Sequence, residues 1–103
     1  MALTQKQKQK AKEFLADVPE EHVFRCYDGA SFKNMQELKN GLESMSDESF
    51  THHSNMEKRD FSNWVRDVIG DGKLAKDLAK AANRTQAAAY VANRLAALSK
   101  RAV

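Results

Sequence analysis

The apolar positions of this chain recur mostly at helical spacing. The clearest run lies between Asp60 and Gly70, which also holds the only tryptophan. There Phe61, Trp64, Val65, Val68 and Ile69 fall at i, i+3, i+4, i+7 and i+8, one face of an α-helix. Asp60 stands where an N-cap belongs, since its carboxylate can accept the free amide protons of the first turn. Gly70 stands where a left-handed C-terminal residue belongs. The pattern makes this helix the hub of the core. Its inward residues are Phe61, Trp64, Val65 and Val68, joined by Leu74 and Leu78 from the following helix.

Other elements follow from the same rules. A first helix is predicted from Thr4 to about Asp17, with Leu3, Ala11, Phe14 and Leu15 as a thin apolar stripe. Gln5 to Lys10 is polar on every face, so residues 1–10 are expected to fray. Pro19 interrupts the helix. Between His22 and Phe32, β-branched and aromatic residues flank Asp28-Gly29, which predicts a small hairpin closed by a two-residue turn with positive φ. A competing reading is a short helix opened by Asp17, with Glu20 as its capping-box partner. Asn34 and Glu37 form a second capping box, ahead of a helix lined by Met35, Leu38, Leu42 and Met45. Gly41 inside that helix permits close packing.

Ser46-Asp47-Glu48 opens a short helix or turn reaching His53, and Ser54 to Arg59 connects it to the hub. A helix from Lys73 to about Ala82 turns Leu74, Ala75, Leu78 and Ala81 inward. Asn83-Arg84 is a turn, and Thr85 caps a last helix from Gln86 to about Lys100, with Ala88, Val91, Leu95 and Leu98 inward. The expected architecture is a single, mainly α domain over residues 1–103. It is a compact bundle of about five helices, with a small β-hairpin near residues 22–33 and a core between 14 and 98.

The motif order has a family resemblance. An Asp-Gly turn precedes Asn34-x-x-Glu37-Leu38, then His52-His53. Asp60-Phe61-x-x-Trp64-Val65-x-Asp67-Val68-x-Gly70-Asp71 follows, then Leu74-Ala75-x-x-Leu78. Over roughly residues 19–82 this resembles small uncharacterised prokaryotic domains of the DUF5752-like type. The resemblance implies a compact, mostly helical domain and supplies no catalytic residues.

Composition narrows the class. At 103 residues the chain supports one modest core. No apolar run approaches the roughly 20 residues of a membrane span, and the lysine-rich start lacks the apolar core of a signal peptide. One cysteine, Cys26, excludes an internal disulfide and fits a reducing compartment. A cytoplasmic protein is therefore expected. The net charge of +3 is unevenly spread: residues 1–17 carry +2, residues 18–70 carry −4 and residues 71–103 carry +5. Such asymmetry can mark a surface for nucleic acid or another acidic partner.

Candidate chemistry is thin. His22, Cys26 and one of His52 or His53 make a borderline zinc set without the usual ligand patterning, so neither metal nor cofactor is expected. Cys26 follows an apolar pattern and reads as a small buried hydrophobe. Asp60 and Asp67, seven apart on one helix face, could suggest paired carboxylates, but Asp60 already has a capping role. Gly70-Asp71-Gly72-Lys73 is too short for a phosphate loop. No nucleophile–base pair can be named, which argues against an enzyme.

The basic C-terminal third is the most suggestive stretch. Leu78-Ala79 with Asn83-Arg84-Thr85-Gln86-Ala87 resembles a helix-turn-helix. Gln86 would open the recognition helix, and Lys73, Lys76, Lys80, Arg84 and Arg94 would meet phosphates. Against this, Arg84 and Ala89 stand where that motif normally places apolar anchors. The expected role is a non-enzymatic interaction module. It would be a protein–protein adaptor, self-associating if it uses the Ala-rich face of the last helix. The alternative is nucleic-acid binding through the basic third.

Overall fold

A computed structural model describes residues 4–102 of the chain. Among the described residues, six α-helices and one two-stranded antiparallel sheet make up the fold. They are α1 (Gln5–Leu15), β1 (Phe24–Arg25), β2 (Ser31–Phe32), α2 (Met35–Ser44), α3 (Asp47–His53), α4 (Asp60–Trp64), α5 (Gly72–Ala79) and α6 (Arg84–Ala102). The mainly helical architecture with a hairpin matches the expectation from pattern. Leu3, assigned to the first apolar stripe, lies outside the described residues.

The centre of the bundle is α6 rather than the Asp60–Gly70 segment. It is the longest helix, and it packs against α1, α2 and α5. Ala87, Val91, Leu95 and Leu98 form its buried stripe. They meet Ala11 of α1, Met35, Leu38 and Leu42 of α2, and Leu74 and Leu78 of α5 in one core. Apolar bulk in the sequence points to the tryptophan helix instead. A long, Ala-rich helix can nevertheless be surrounded, because its small side chains let neighbours approach closely.

The hub segment forms in two parts. α4 is regular, and then Val65–Ile69 widens into a π-helical turn. The Gly70 amide donates to the Val65 carbonyl at 2.7 Å, and Gly70 takes φ +91°, so its predicted left-handed C-terminal role holds. The wide turn rotates Val68 and Ile69 off the inward stripe, leaving both only partly buried. Phe61, Trp64, Val65, Leu74 and Leu78 are all buried. Trp64 donates its Nε1–H to the His22 carbonyl at 2.8 Å.

The caps differ from expectation at two helices. Arg59, not Asp60, precedes α4, and no side chain caps that helix. Asn83, not Thr85, opens α6, accepting the Gln86 amide proton at 2.8 Å. Asn34 caps α2 as predicted, through the Glu37 amide at 2.8 Å. In both Asn caps the residue three positions on reaches back one residue further than a regular capping box does. Glu37 accepts from the Lys33 amide, and Gln86 accepts from the Ala82 amide. Thr4 and Gln7 make the regular reciprocal box on α1.

The hairpin forms, preceded by a single 3-10 turn at Glu20–His22. Asp17 does not open that turn; its carboxylate instead accepts from Asn34 Nδ2 at 2.7 Å. The hairpin connection is longer than two residues. Only Gly29 takes positive φ, at +96°, and its amide donates to the Cys26 carbonyl. Asp28 keeps an ordinary φ and accepts the Ala30 amide proton through Oδ1 at 3.0 Å. This relieves Asp28 of the positive φ that a two-residue turn demands. Phe32 projects from the hairpin onto α2 at Gly41, where a Cβ would run into its ring.

Candidate nucleic-acid interface

Three lysines define the site. Lys73, Lys76 and Lys80 fall at i, i+3 and i+7 along α5 and its C-cap, a single stripe of one helix face. The opposite face carries Leu74, Ala75 and Leu78 into the core. The amphipathic pattern therefore fixes the direction of the stripe. All three lysines are exposed, and none is paired with a carboxylate among the described residues.

Grooves flank the stripe on both sides. On one, Lys76 shares a cleft of about 250 Å³ with Arg59, Asn63 and Arg66 of the α4 segment, floored by Gly72, Ala75 and Ala79. Buried Ser62 holds that cleft together by donating to the Ala75 carbonyl at 2.6 Å. On the other side, Lys73 shares a second cleft of about 250 Å³ with Tyr90, Asn93 and Arg101 of α6. Two acids lie within this surface. Asp67 is taken up by Arg66, whose guanidinium donates at 2.8 and 3.1 Å. Those hydrogen bonds hold the Asp67 carboxyl below its ordinary range and push the Arg66 guanidinium up. Asp77 lines the second cleft.

The structure commits the other sequence candidates to partners within the protein. Arg84 turns toward the end of α2, donating from Nη1 to the Leu42 and Glu43 carbonyls at 2.9 and 3.0 Å and from Nε to Asp47 at 3.1 Å. That position satisfies carbonyls which the end of a helix leaves free. Gln86 holds the α6 cap. Arg94 clamps Asp71, with Nε–Oδ2 at 2.6 Å and Nη2–Oδ1 at 3.2 Å. α6 packs on α1, α2 and α5 and keeps Thr85, Ala89, Asn93 and Ala96 exposed. Sequence reasoning missed Arg59 and Arg66, which precede α5 in the chain but line its flank, and Arg101 near the end of α6.

Two histidines are engaged in packing or hydrogen bonds. His53 is buried, its Nδ1 lies 2.9 Å from Asp60 Oδ2, and its Nε2 accepts the Tyr27 amide proton at 2.8 Å. Its ring meets Phe24 and Phe61 edge-on. His52 stacks on exposed Tyr27 at 4.2 Å. Among the described residues, no group of three or more His, Cys, Asp or Glu side chains is arranged to hold a metal ion. No helix among them is long and apolar enough to cross a membrane.

No protein-family model, curated protein or solved structure matches the chain.

Proposed function

We propose that this chain is a non-enzymatic nucleic-acid-binding module that grips the phosphate backbone along α5. The observation that carries the reading is the single-faced stripe Lys73–Lys76–Lys80, unpaired among the described residues, with Arg59, Arg66 and Arg101 beside it. Clustered cations on one rigid face attract the phosphate backbone irrespective of base sequence. The compartment this implies is the cytoplasm, where nucleic acid and reduced thiols coexist.

Support for an apolar adaptor surface is thinner. Tyr27 and Met56 are the only large apolar side chains that stand exposed among the described residues, and Tyr27 is already stacked on His52. Of the α6 alanines, Ala87 and Ala88 are buried, Ala92 and Ala97 partly so, and Ala89 and Ala96 exposed, so the exposed alanines present only methyl groups as apolar surface. A docking face normally shows a continuous apolar patch.

The test is fluorescence anisotropy on a labelled duplex and a labelled single strand across a salt series. Binding is expected to be micromolar and to weaken steeply with salt through counterion release. Changing Lys73, Lys76 and Lys80 together to Ala should flatten the log–log salt slope by about three, one for each phosphate no longer neutralised. Absence of binding at low salt sinks the reading. So does a triple variant that binds like the wild type.

A further inference from the structure

The second cleft is chemically unlike the first. The α4–α5 cleft offers only cations, an amide and small residues. The α5–α6 cleft adds an aromatic ring, Tyr90, to a lining that also includes Lys73 of α5 and Arg101 of α6. Tyr90 is partly buried against the core, so its ring is held by packing and does not need to be ordered on binding. Asn93, three residues on and therefore on the same side of α6, brings an amide that can both donate and accept. Arg94 is part of the wall, but its guanidinium is closed on Asp71. Among the described residues, Lys73 and Arg101 are the cations of this cleft without a carboxylate partner.

We infer that the α5–α6 cleft takes an unstacked nucleobase against Tyr90, and that the protein's preferred ligand is a single strand. The inference rests on the reading of α5 as a phosphate-binding face. A positively charged groove that tracks the backbone, together with an aromatic ring on which a base stacks, is how single strands are held without sequence preference. In a duplex the bases are stacked inside and cannot reach such a ring, whereas the phosphates remain available to the lysine stripe. Asn93 would meet the edge of the base, and Asp77 in the same cleft disfavours a phosphate at that spot, steering the backbone toward the lysines.

The experiment compares three labelled probes of about 12 nucleotides, a length within the usual single-strand site range. They are a mixed-sequence single strand, its duplex, and a strand with most bases replaced by abasic sites. Wild-type protein is expected to bind the single strand roughly tenfold more tightly than the duplex, in line with one stacked base. The abasic strand should bind like the duplex. Tyr90→Leu should remove the single-strand preference while leaving duplex affinity and salt slope unchanged, and Tyr90→Phe should keep it. Equal binding of all three probes by the wild type overturns the inference while leaving the α5 reading intact. So does a Tyr90→Leu variant that retains the preference. The abasic comparison uses unaltered protein and so decides the matter even if Tyr90→Leu fails to fold. Loss of all binding to every probe instead removes the α5 reading and this inference with it.

Discussion

Arg94 and Asp71 close on each other across the α5–α6 interface, with Asp71 side-chain exposure at 1% and Arg94 at 10%. The same carboxylate also caps α5, since its Oδ1 accepts the Leu74 amide proton at 3.2 Å. One buried acid therefore starts the helix that carries the lysine stripe and fastens it to the central helix. The position of the candidate site depends on this pair as much as on the apolar stripe beneath it.

Breaking the pair from one side leaves a buried charge unpaired. Asp71→Ala or Arg94→Ala should each lower stability by roughly 3–5 kcal/mol. Asp71→Ala also removes a cap, which adds to its loss. The double change Asp71→Asn with Arg94→Met should be milder than the sum, because no charge is then stranded. Denaturant melts of the four proteins check this. Single variants within about 1 kcal/mol of wild type would mean that solvent reaches the pair.

Arg84 separates folding from binding. Its guanidinium is committed to two backbone carbonyls and Asp47, so Arg84→Ala should lower stability by about 1–2 kcal/mol. It should leave the salt slope for nucleic acid unchanged. A flattened slope with undiminished stability would show that Arg84 faces phosphate after all.

Much of the fold was legible because local rules agreed with one another. The Asn34 and Ser46 caps, the Gly70 terminus and the spacing of Leu74 and Leu78 all lie within a few residues of what they determine. Features set by distant residues were not legible. Arg94 and Asp71 are 23 apart, and Arg84 and Leu42 are 42 apart, so no periodicity links them. A charged residue adjoining a buried stripe was the one available signal, since Arg94 directly precedes inward Leu95. The lysine stripe could be read from spacing alone, but its flanking arginines could not, because they belong to another part of the chain. The central place of α6 was hidden by its alanines, whose small size makes a weak hydrophobic signal despite close packing.

Gly41 tests close packing between the hairpin and α2. A methyl group there would meet the Phe32 ring, which is itself buried. Ala is the better helix former by about 1 kcal/mol, yet Gly41→Ala should still destabilise, by roughly 1–3 kcal/mol, because of overpacking. Pairing it with Phe32→Leu should recover part of the loss. Thermal or denaturant melts decide, and a stabilised Gly41→Ala protein would show that the ring moves aside freely.

Cys26 is buried in the hairpin, and that burial pushes its thiol above the ordinary range. The folded state therefore favours the protonated thiol. Its contribution is complete below the thiol's unfolded pKa and is lost as pH rises through the higher folded value. Cys26→Ser should thus be less sensitive to alkaline pH than wild type in paired melts. At neutral pH, a thiol-specific reagent should label the native chain at least about tenfold more slowly than the unfolded chain. Equal labelling rates would place the thiol at the surface.

His53 joins the hairpin tip to the start of α4, and its hydrogen bonds fix its tautomer. The Tyr27 amide can only donate, so Nε2 must be the acceptor and carry no proton. The proton then sits on Nδ1 and is donated to Asp60 Oδ2. Nitrogen NMR of the ring should show this Nδ1–H form in the neutral protein. His53→Ala should lower stability by about 3 kcal/mol, because it opens a cavity beside Phe24 and Phe61 and strands the Tyr27 amide. Asp60→Asn should be milder, about 1 kcal/mol, since an amide oxygen can still accept from Nδ1 and the site is partly open to water. The ordering of the two losses follows from burial: the ring lies inside the aromatic cluster, whereas the carboxylate sits at its edge. An Nε2–H signal in the neutral protein would contradict the Tyr27 bond, and a harsher loss from Asp60→Asn than from His53→Ala would contradict that ordering.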